Sequence, residues 1–432
     1  MPDSFRCSIG VLALAGLGFG ASAQQAPVQV VKPPVAQAWI DVATFGGLGM
    51  PMGMPGAGGG GAMGALGGLF GGGGGAGQNQ FGQTQTLSPG RWVDVTLYTR
   101  NNPQLAEAQQ TVPAAFLSPP LKLQSPKETR GTAPDPGDER TVEGEQERPK
   151  GRMLLYWGCG EAVRAGQPKV VDFATATPDE LARAFQSRRA TQRGTHAATG
   201  RPVWPSPADG RMVPPQASLV GEHAMTGQGV PDGFRFPIGT AQDLMPPIAL
   251  TQKDAGGATL LEWQPLPTAR AYFIAAMGAR GSDEMVVWTS SEQPDMGFGL
   301  LDYQTNGAVD RWLKEQVLLA PQATRCAVPK GVFGSEGAML RMIAYGSELN
   351  LAQPPRPSDP KIAWEPVWAA KIRVKSVTMA MLGMDAAGAP AGESARSGKA
   401  APAQAPAASA PGSPQLPKLP GVSDLLKGVL GR

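Results

Sequence analysis

Residues 259–275, TLLEWQPLPTARAYFIA, carry the clearest indication of the fold class. Two runs of aliphatic and aromatic side chains flank a turn marked by Pro265 and Pro267, which is the pattern of two consecutive β-strands. Similar patterns precede it at AWIDVATF (38–45), RWVDVTLY (91–98), MLLYW (153–157) and KVVDF (169–173). The sequence therefore predicts a mainly β protein.

Two segments have the pattern of helices. Residues 177–180, Thr-Pro-Asp-Glu, supply an N-cap threonine, a proline at the first helical position and a glutamate that closes a capping box. Residues 306–319 place Val309, Trp312 and Val317 on one face. We expect the second helix to be an insertion whose apolar face packs on the sheet.

The first 23 residues have the pattern of an export signal. Arg6 precedes an apolar run at residues 9–19, and the run is followed by Ala-Ser-Ala at 21–23, the small-x-small motif of signal peptidase. We expect cleavage before Gln24 and a periplasmic or secreted protein of a Gram-negative envelope. No later window is apolar and long enough for a membrane helix, so no integral span is expected.

Two cysteines remain after the signal, Cys159 and Cys326. A pair of cysteines in an oxidising compartment is more often a disulfide than two free thiols. The alternative is that Cys159 is a catalytic nucleophile with His196 or His223 as its base. These two histidines are the only ones in the chain, so a site of three histidines is excluded.

Three segments have the composition of linkers. Residues 46–80 are rich in Gly and Met, with 18 Gly between positions 46 and 77, and predict a flexible segment. Its Met50, Met52 and Met54 could alternatively bind Cu(I). Residues 124–151 predict a disordered loop, and residues 384–420 an Ala/Pro-rich linker.

The linkers divide the remaining chain into two regions, a β-rich domain at 81–244 and a second β domain at 245–383. Charge is nearly balanced, with 38 Lys and Arg against 35 Asp and Glu, which gives no support for a nucleic-acid partner. The chain contains no His-Glu-x-x-His, no Gly-x-Ser-x-Gly and no phosphate loop. No cofactor or metal site is therefore predicted from motifs.

A basic row is predicted near the end of the second β region. Lys371, Arg373 and Lys375 alternate with Ile372 and Val374, so one face of a last strand carries three cations. Charge of this kind protects an edge strand from aggregation. The row could instead contact anionic envelope polymers or lipid head groups.

The C-terminal residues 421–432 predict a short amphipathic helix on a tether. Five apolar residues recur at helical spacing; they are Val422, Leu425, Leu426, Val429 and Leu430. A helix of this length is marginal alone, so we expect it to order on an envelope protein, on a membrane surface or on its own domain.

Residues 245–383 resemble a fibronectin type III module, a seven-stranded sandwich of the immunoglobulin class. TLLEWQP (259–265) resembles its second strand, with Trp263 in the core, and ARAYFIA (269–275) resembles its third strand, with Tyr272 in the core. A later strand matches at Leu340, Met342, Ala344 and Gly346, although Ala338 stands where the family has a corner tyrosine. The resemblance implies a fold and not an activity.

The mature chain is also similar to a group of exported proteobacterial proteins that bring no established activity. The similarity lies in the Gly/Met-rich segment, in LLYWGCGE (154–161) and in VWTSS (287–291). We therefore expect an exported, non-catalytic binding or structural module with a tethered docking helix. The alternative is a periplasmic hydrolase of cell-wall material that uses Cys159 or an unrecognised acidic site.

Overall fold

The computed structural model describes residues 29–46, 79–86, 88–127, 151–190, 194–281, 283–334 and 337–382. Within these ranges the chain forms 17 strands and two α-helices, so the mainly β prediction is confirmed. The predicted signal 1–23, residues 47–78 of the Gly/Met-rich segment with Met50, Met52 and Met54, residues 128–150 of the predicted loop, the linker 384–420 and the segment 421–432 lie outside the described residues. The predicted loop 124–151 begins one residue too early, because Gln124 ends a strand. In the part that is described, no helix is long and apolar enough to cross a membrane.

The strands are β1 (Ala36–Gly46), β2 (Gly90–Thr99), β3 (Glu107–Thr111), β4 (Leu121–Gln124), β5 (Arg152–Trp157), β6 (Lys169–Asp172), β7 (Val203–Trp204), β8 (Gly221–Gly227), β9 (Arg235–Ile238), β10 (Leu250–Ala255), β11 (Ala258–Trp263), β12 (Ala271–Arg280), β13 (Glu284–Thr289), β14 (Arg325–Val328), β15 (Ala338–Tyr345), β16 (Leu349–Gln353) and β17 (Trp368–Leu382). The helices are α1 (Pro178–Phe185) and α2 (Asn306–Lys314).

A large mixed sheet has the strand order β6-β5-β13-β12-β15-β17-β1-β2-β7-β4-β3-β8-β9, and β16 pairs with β17 beyond the end of β15. Two of its pairs are parallel, β1 with β17 and β5 with β13. Both parallel pairs join a strand from before residue 244 to a strand from after it. The division between 81–244 and 245–383 therefore does not coincide with a break in the sheet.

A second, three-stranded sheet has the order β10-β11-β14. Its Trp263 meets Tyr272 of the large sheet edge to face, with ring centroids 5.7 Å apart, and both side chains are buried. A bond between Cys159 and Cys326 ties β14 to the loop after β5. The two sheets thus share one apolar core, as in a β-sandwich.

Both predicted helices are present. Thr177 and Glu180 form the predicted capping box at the start of α1. Helix α2 buries Val309 and Trp312, as expected, but ends at Lys314 rather than at residue 319. Residues 315–319 are not helical, because Leu319 exchanges two backbone hydrogen bonds, of 2.9 and 3.0 Å, with Tyr272 of β12.

The two faces of the central strands β1, β2 and β17 differ in chemistry. One face carries apolar side chains into the shared core, among them Ile40, Val95 and Ile372. The opposite face carries Asp41, Asp94, Arg373 and Lys375 in alternation with them. Segments between the strands cover this second face, and the candidate site lies beneath them.

Candidate functional site

Two residues of the predicted basic row, Arg373 and Lys375, lie in a largely buried group of polar side chains, here called the polar cluster: Asp41, Asp94, Asp302, Tyr303, Arg373 and Lys375. The side chains of Arg373 and Lys375 are only 5% and 1% exposed. Lys371 is 12% exposed and lies 3.8 Å from the carboxylate of Glu348. The expectation of a solvent-facing basic row is therefore wrong.

The error concerns the position of β17 in the sheet. This strand is central, because it pairs with β1 on one side and with β15 and β16 on the other. An alternating basic pattern is typical of an edge strand, where water solvates each cation. In a central strand under a cover, each cation needs a carboxylate instead.

Asp41 supplies that carboxylate to Arg373. The two residues are direct neighbours in the parallel register of β1 and β17. Arg373 donates from Nε to Oδ1 and from Nη2 to Oδ2, both at 2.6 Å, which is a bidentate pair. Burial alone would lower the pKa of Arg373, but the hydrogen bonds and the charge of Asp41 raise it above its ordinary value. The guanidinium also lies 4.3 Å from the ring centroid of Tyr303.

Asp94 lies opposite Asp41 in the antiparallel register of β1 and β2. Its carboxylate accepts hydrogen bonds from the Gly82 and Thr84 amides at 2.9 and 3.1 Å, and from the Thr84 hydroxyl at 2.5 Å. Burial raises the pKa of Asp94 to about 7, although these donors lower it, and the charge of Asp41 adds to the rise. Asp94 thus fixes residues 79–86 on the sheet.

Lys375 completes the polar cluster. Its Nζ lies 3.0 Å from Oδ1 of Asp302 and 4.2 Å from the ring centroid of Tyr303. Burial lowers the pKa of Lys375. Burial would raise the pKa of Asp302, which is 35% exposed at the rim, but the charge of Lys375 holds it below the ordinary value. Tyr303 donates from its hydroxyl to the Val42 carbonyl at 3.0 Å.

A short stretch at residues 194–196 covers Asp41 and Arg373. Thr195 donates to Oδ2 of Asp41 from its amide at 3.0 Å and from its hydroxyl at 2.7 Å. A Cβ on Gly194 would lie 1.7 Å from Nη2 of Arg373, so the backbone approaches the guanidinium more closely than any side chain allows. His196 packs edge to face on Trp39, with ring centroids 5.6 Å apart.

The residues predicted for the enzyme alternative are not brought together as a catalytic site. Cys159 is bonded to Cys326, which confirms the predicted disulfide and removes the thiol nucleophile. His223 is buried between Gln110 and the Leu219 carbonyl, with contacts of 3.0 and 2.8 Å from its ring nitrogens, and burial lowers its pKa. Both histidines therefore have local structural contacts.

The arrangement holds segments in place. Asp41 and Asp94 accept hydrogen bonds from backbone amides of covering segments. Arg373 pairs with Asp41 and Lys375 with Asp302, and both cations lie close to the ring of Tyr303. Among the described residues, no group of three His, Cys, Asp or Glu could hold a metal ion. Breaking one buried pair of this type costs about 3–5 kcal/mol, so the polar cluster has a large effect on the stability of the covered face.

Sequence reasoning missed Asp41 and Asp94, although a signal was present. Both lie in the same four-residue pattern, WIDV at 39–42 and WVDV at 92–95. A carboxylate in the middle of an otherwise apolar strand predicts a buried acid with a partner. Asp302 and Tyr303 carry no such signal, because they follow a short 3₁₀ turn, Phe298–Leu300, in an irregular segment.

No protein-family model matches the chain, and no curated protein or solved structure is significantly similar to it. Function is therefore inferred from the chain's own residues.

Proposed function

We propose that the protein is an exported, non-catalytic binding or structural module of a Gram-negative envelope. The observation that carries the proposal is the role of the buried charged residues: Asp41 and Asp94 accept hydrogen bonds from segments that cover the sheet. A binding scaffold needs surface segments fixed in this way. The wall-hydrolase alternative lacks its thiol, because Cys159 is in a disulfide.

The strand order after residue 245 supports a module similar to fibronectin type III. A three-stranded sheet, β10-β11-β14, shares a core with the run β13-β12-β15-β17 of the large sheet. This is the division of a seven-stranded sandwich into sheets of three and four. The helix α2 lies between β13 and β14 in the chain, as an insertion into that arrangement.

Export is supported by two independent features. The N-terminal sequence has the pattern of a cleaved signal, and Cys159 and Cys326 form a disulfide that needs an oxidising compartment to persist. Intact mass of protein from a periplasmic extract tests both together. The proposal expects a chain that begins at Gln24 and two alkylated thiols only after reduction; a chain that retains residues 1–23 and has all three cysteine thiols free would refute it.

We further propose that residues 421–432 bind an envelope protein or a membrane surface through Leu425, Leu426, Val429 and Leu430. The described chain ends at Leu382, so residues 383–420 separate the described fold from this segment in sequence. Deleting residues 416–432 should lower the fraction of the protein that sediments with the particulate envelope. Deleting 400–415 is the matched control, and equal fractionation of both variants would refute docking.

A further inference from the structure

Most exposed aliphatic side chains of the described chain are concentrated at one end of the sheet. Seven large hydrophobic residues are exposed in the described ranges, and four of them, Val30, Val31, Ile362 and Val367, lie on two paired segments. These segments, residues 29–35 and 354–367, are here called the tip. They immediately precede β1 and β17, so the tip lies where these two parallel strands begin.

The tip is a built structure. Backbone hydrogen bonds join Trp364 to Val30 at 2.8 Å and Lys32 to Trp364 at 2.9 Å. The side chain of Gln29 donates to the Ile362 carbonyl at 2.9 Å and accepts from Arg356 at 2.6 Å. The exposed aliphatic groups are thus held outward by a fixed backbone.

The chemistry of the tip matches that of a lipid–water interface. Trp364 is half-buried, donates from its ring nitrogen to the Pro354 carbonyl at 3.0 Å, and lies 5.6 Å from the guanidinium of Arg356. The tip has three cations, Lys32, Arg356 and Lys361, against two carboxylates, which leaves a net charge of +1; Lys32 is paired with Glu365 at the surface. Tryptophan beside aliphatic and basic residues is typical of segments that lie in the head-group region.

A second copy of this chain is a poorer occupant. The four exposed aliphatic side chains present roughly 350 Å², the size of an ordinary surface patch. A stable interface takes about 800 Å² from each partner. Strand pairing is also blocked, because seven prolines in these 21 residues remove the amide donors that a partner strand needs.

We propose that the tip binds a membrane surface that carries anionic lipid head groups. This inference rests on the proposed envelope location and names a contact separate from residues 421–432. The aliphatic groups enter the head-group layer, and the three cations lie at the level of the lipid phosphates. The C-terminal segment leaves the fold at Leu382, at the other end of β17, which is roughly 50 Å long at about 3.3 Å per residue.

Cosedimentation of the mature chain, residues 24–432, with vesicles tests the proposal. The vesicles contain phosphatidylethanolamine with one quarter phosphatidylglycerol, or phosphatidylcholine alone. The proposal expects binding to the anionic vesicles that falls as salt rises, and at least tenfold weaker binding to phosphatidylcholine. Equal binding to both, or binding to neither, would overturn it.

A pair of double variants locates the contact. Val30→Asp with Ile362→Asp should reduce the vesicle-bound fraction at least fivefold. The control variant, Met212→Asp with Val220→Asp, introduces the same two negative charges at exposed hydrophobic positions outside the tip. It should bind vesicles like the wild type. Equal losses in both variants would overturn the proposal, and unchanged melting temperatures would show that both variants fold.

Two further arms separate this proposal from docking by residues 421–432. Deleting 416–432 should leave tip-dependent binding in place. If the deletion abolishes binding while the tip variant retains it, the tip proposal fails and the C-terminal one stands.

Brominated lipids should quench tryptophan fluorescence less in Trp364→Phe than in the wild type. Equal quenching, or a dimer by sedimentation equilibrium that the tip variant dissociates, would also overturn the proposal.

Discussion

The two faces of the central strands use the same alternation of side chains for opposite chemistry. On one face of β1 and β17, Ile40 and Ile372 pack in a core shared by two sheets. On the other face, Asp41 and Arg373 are equally buried but form a bidentate ion pair under a covering segment. A charged alternation in a β pattern therefore does not mark a solvated face, because burial depends on what covers the strand.

The largest expected effect comes from breaking the polar face at its centre. Arg373→Met leaves the carboxylate of Asp41 buried without its cation, and should lower the free energy of unfolding by about 3–5 kcal/mol. Denaturant unfolding measures the loss. Asp41→Asn combined with Arg373→Met should recover part of it, and a loss below about 1 kcal/mol for the single variant would mean that the pair is solvated.

The raised pKa of Asp94 predicts that the stability of the polar face depends on pH. Its pKa is about 7 in the folded protein and 3.8 in the unfolded chain, so the folded state binds more protons between these values. The contribution of Asp94 to stability should therefore be largest at acid pH and fall by up to roughly 4 kcal/mol as pH rises from about 4 to 7.

Asp94→Asn isolates that contribution. The difference in free energy of unfolding between wild type and Asp94→Asn, measured at each pH, should change steadily over the same window. His223, whose pKa burial lowers, titrates in both proteins and cancels in the difference. A difference that stays constant with pH would contradict the assignment to Asp94.

Gly194→Ala perturbs the stretch at residues 194–196, which covers Asp41 and Arg373, and should cost less stability than Arg373→Met. The added methyl group would overlap the guanidinium of Arg373, so the stretch must move or the ion pair must shift. We expect a cost of about 1–3 kcal/mol in thermal or denaturant unfolding. Gly307→Ala is the control, because its Cβ would meet no atom within 4 Å. Equal free energies of unfolding for the two variants would show that residues 194–196 do not pack tightly against Arg373.

The smallest effect is expected at an exposed ion pair. Lys253 and Glu262 pair on the three-stranded sheet with side chains 65% and 37% exposed. Lys253→Ala should change the free energy of unfolding by less than about 1 kcal/mol, because water already solvates both charges. A loss as large as that of Arg373→Met would remove the distinction between covered and solvated charges.

The sequence predicted the local elements better than their arrangement. Strand patterns at 38–45, 91–98 and 259–275 and the capping box at Thr177 are all present, because each depends on spacing within a few residues. Pairing of β1 with β17 joins residues more than 300 positions apart, and no local pattern encodes it. The basic row was misplaced for that reason, since its exposure depends on which strands flank β17.

The site was accessible from sequence only in part. The paired WIDV and WVDV patterns point to two buried carboxylates. Their side-chain donors Thr84 and Thr195 lie on irregular segments without a periodic signal.

Selective acetylation of lysines in the native protein tests most directly whether the basic row is buried. Mild acetylation followed by peptide mass spectrometry compares Lys375, which is 1% exposed, with Lys253, which is 65% exposed. We predict that Lys253 is modified rapidly and that Lys375 is modified only after unfolding. Modification of both lysines at similar rates in the folded protein would place the basic row at the surface and contradict the account.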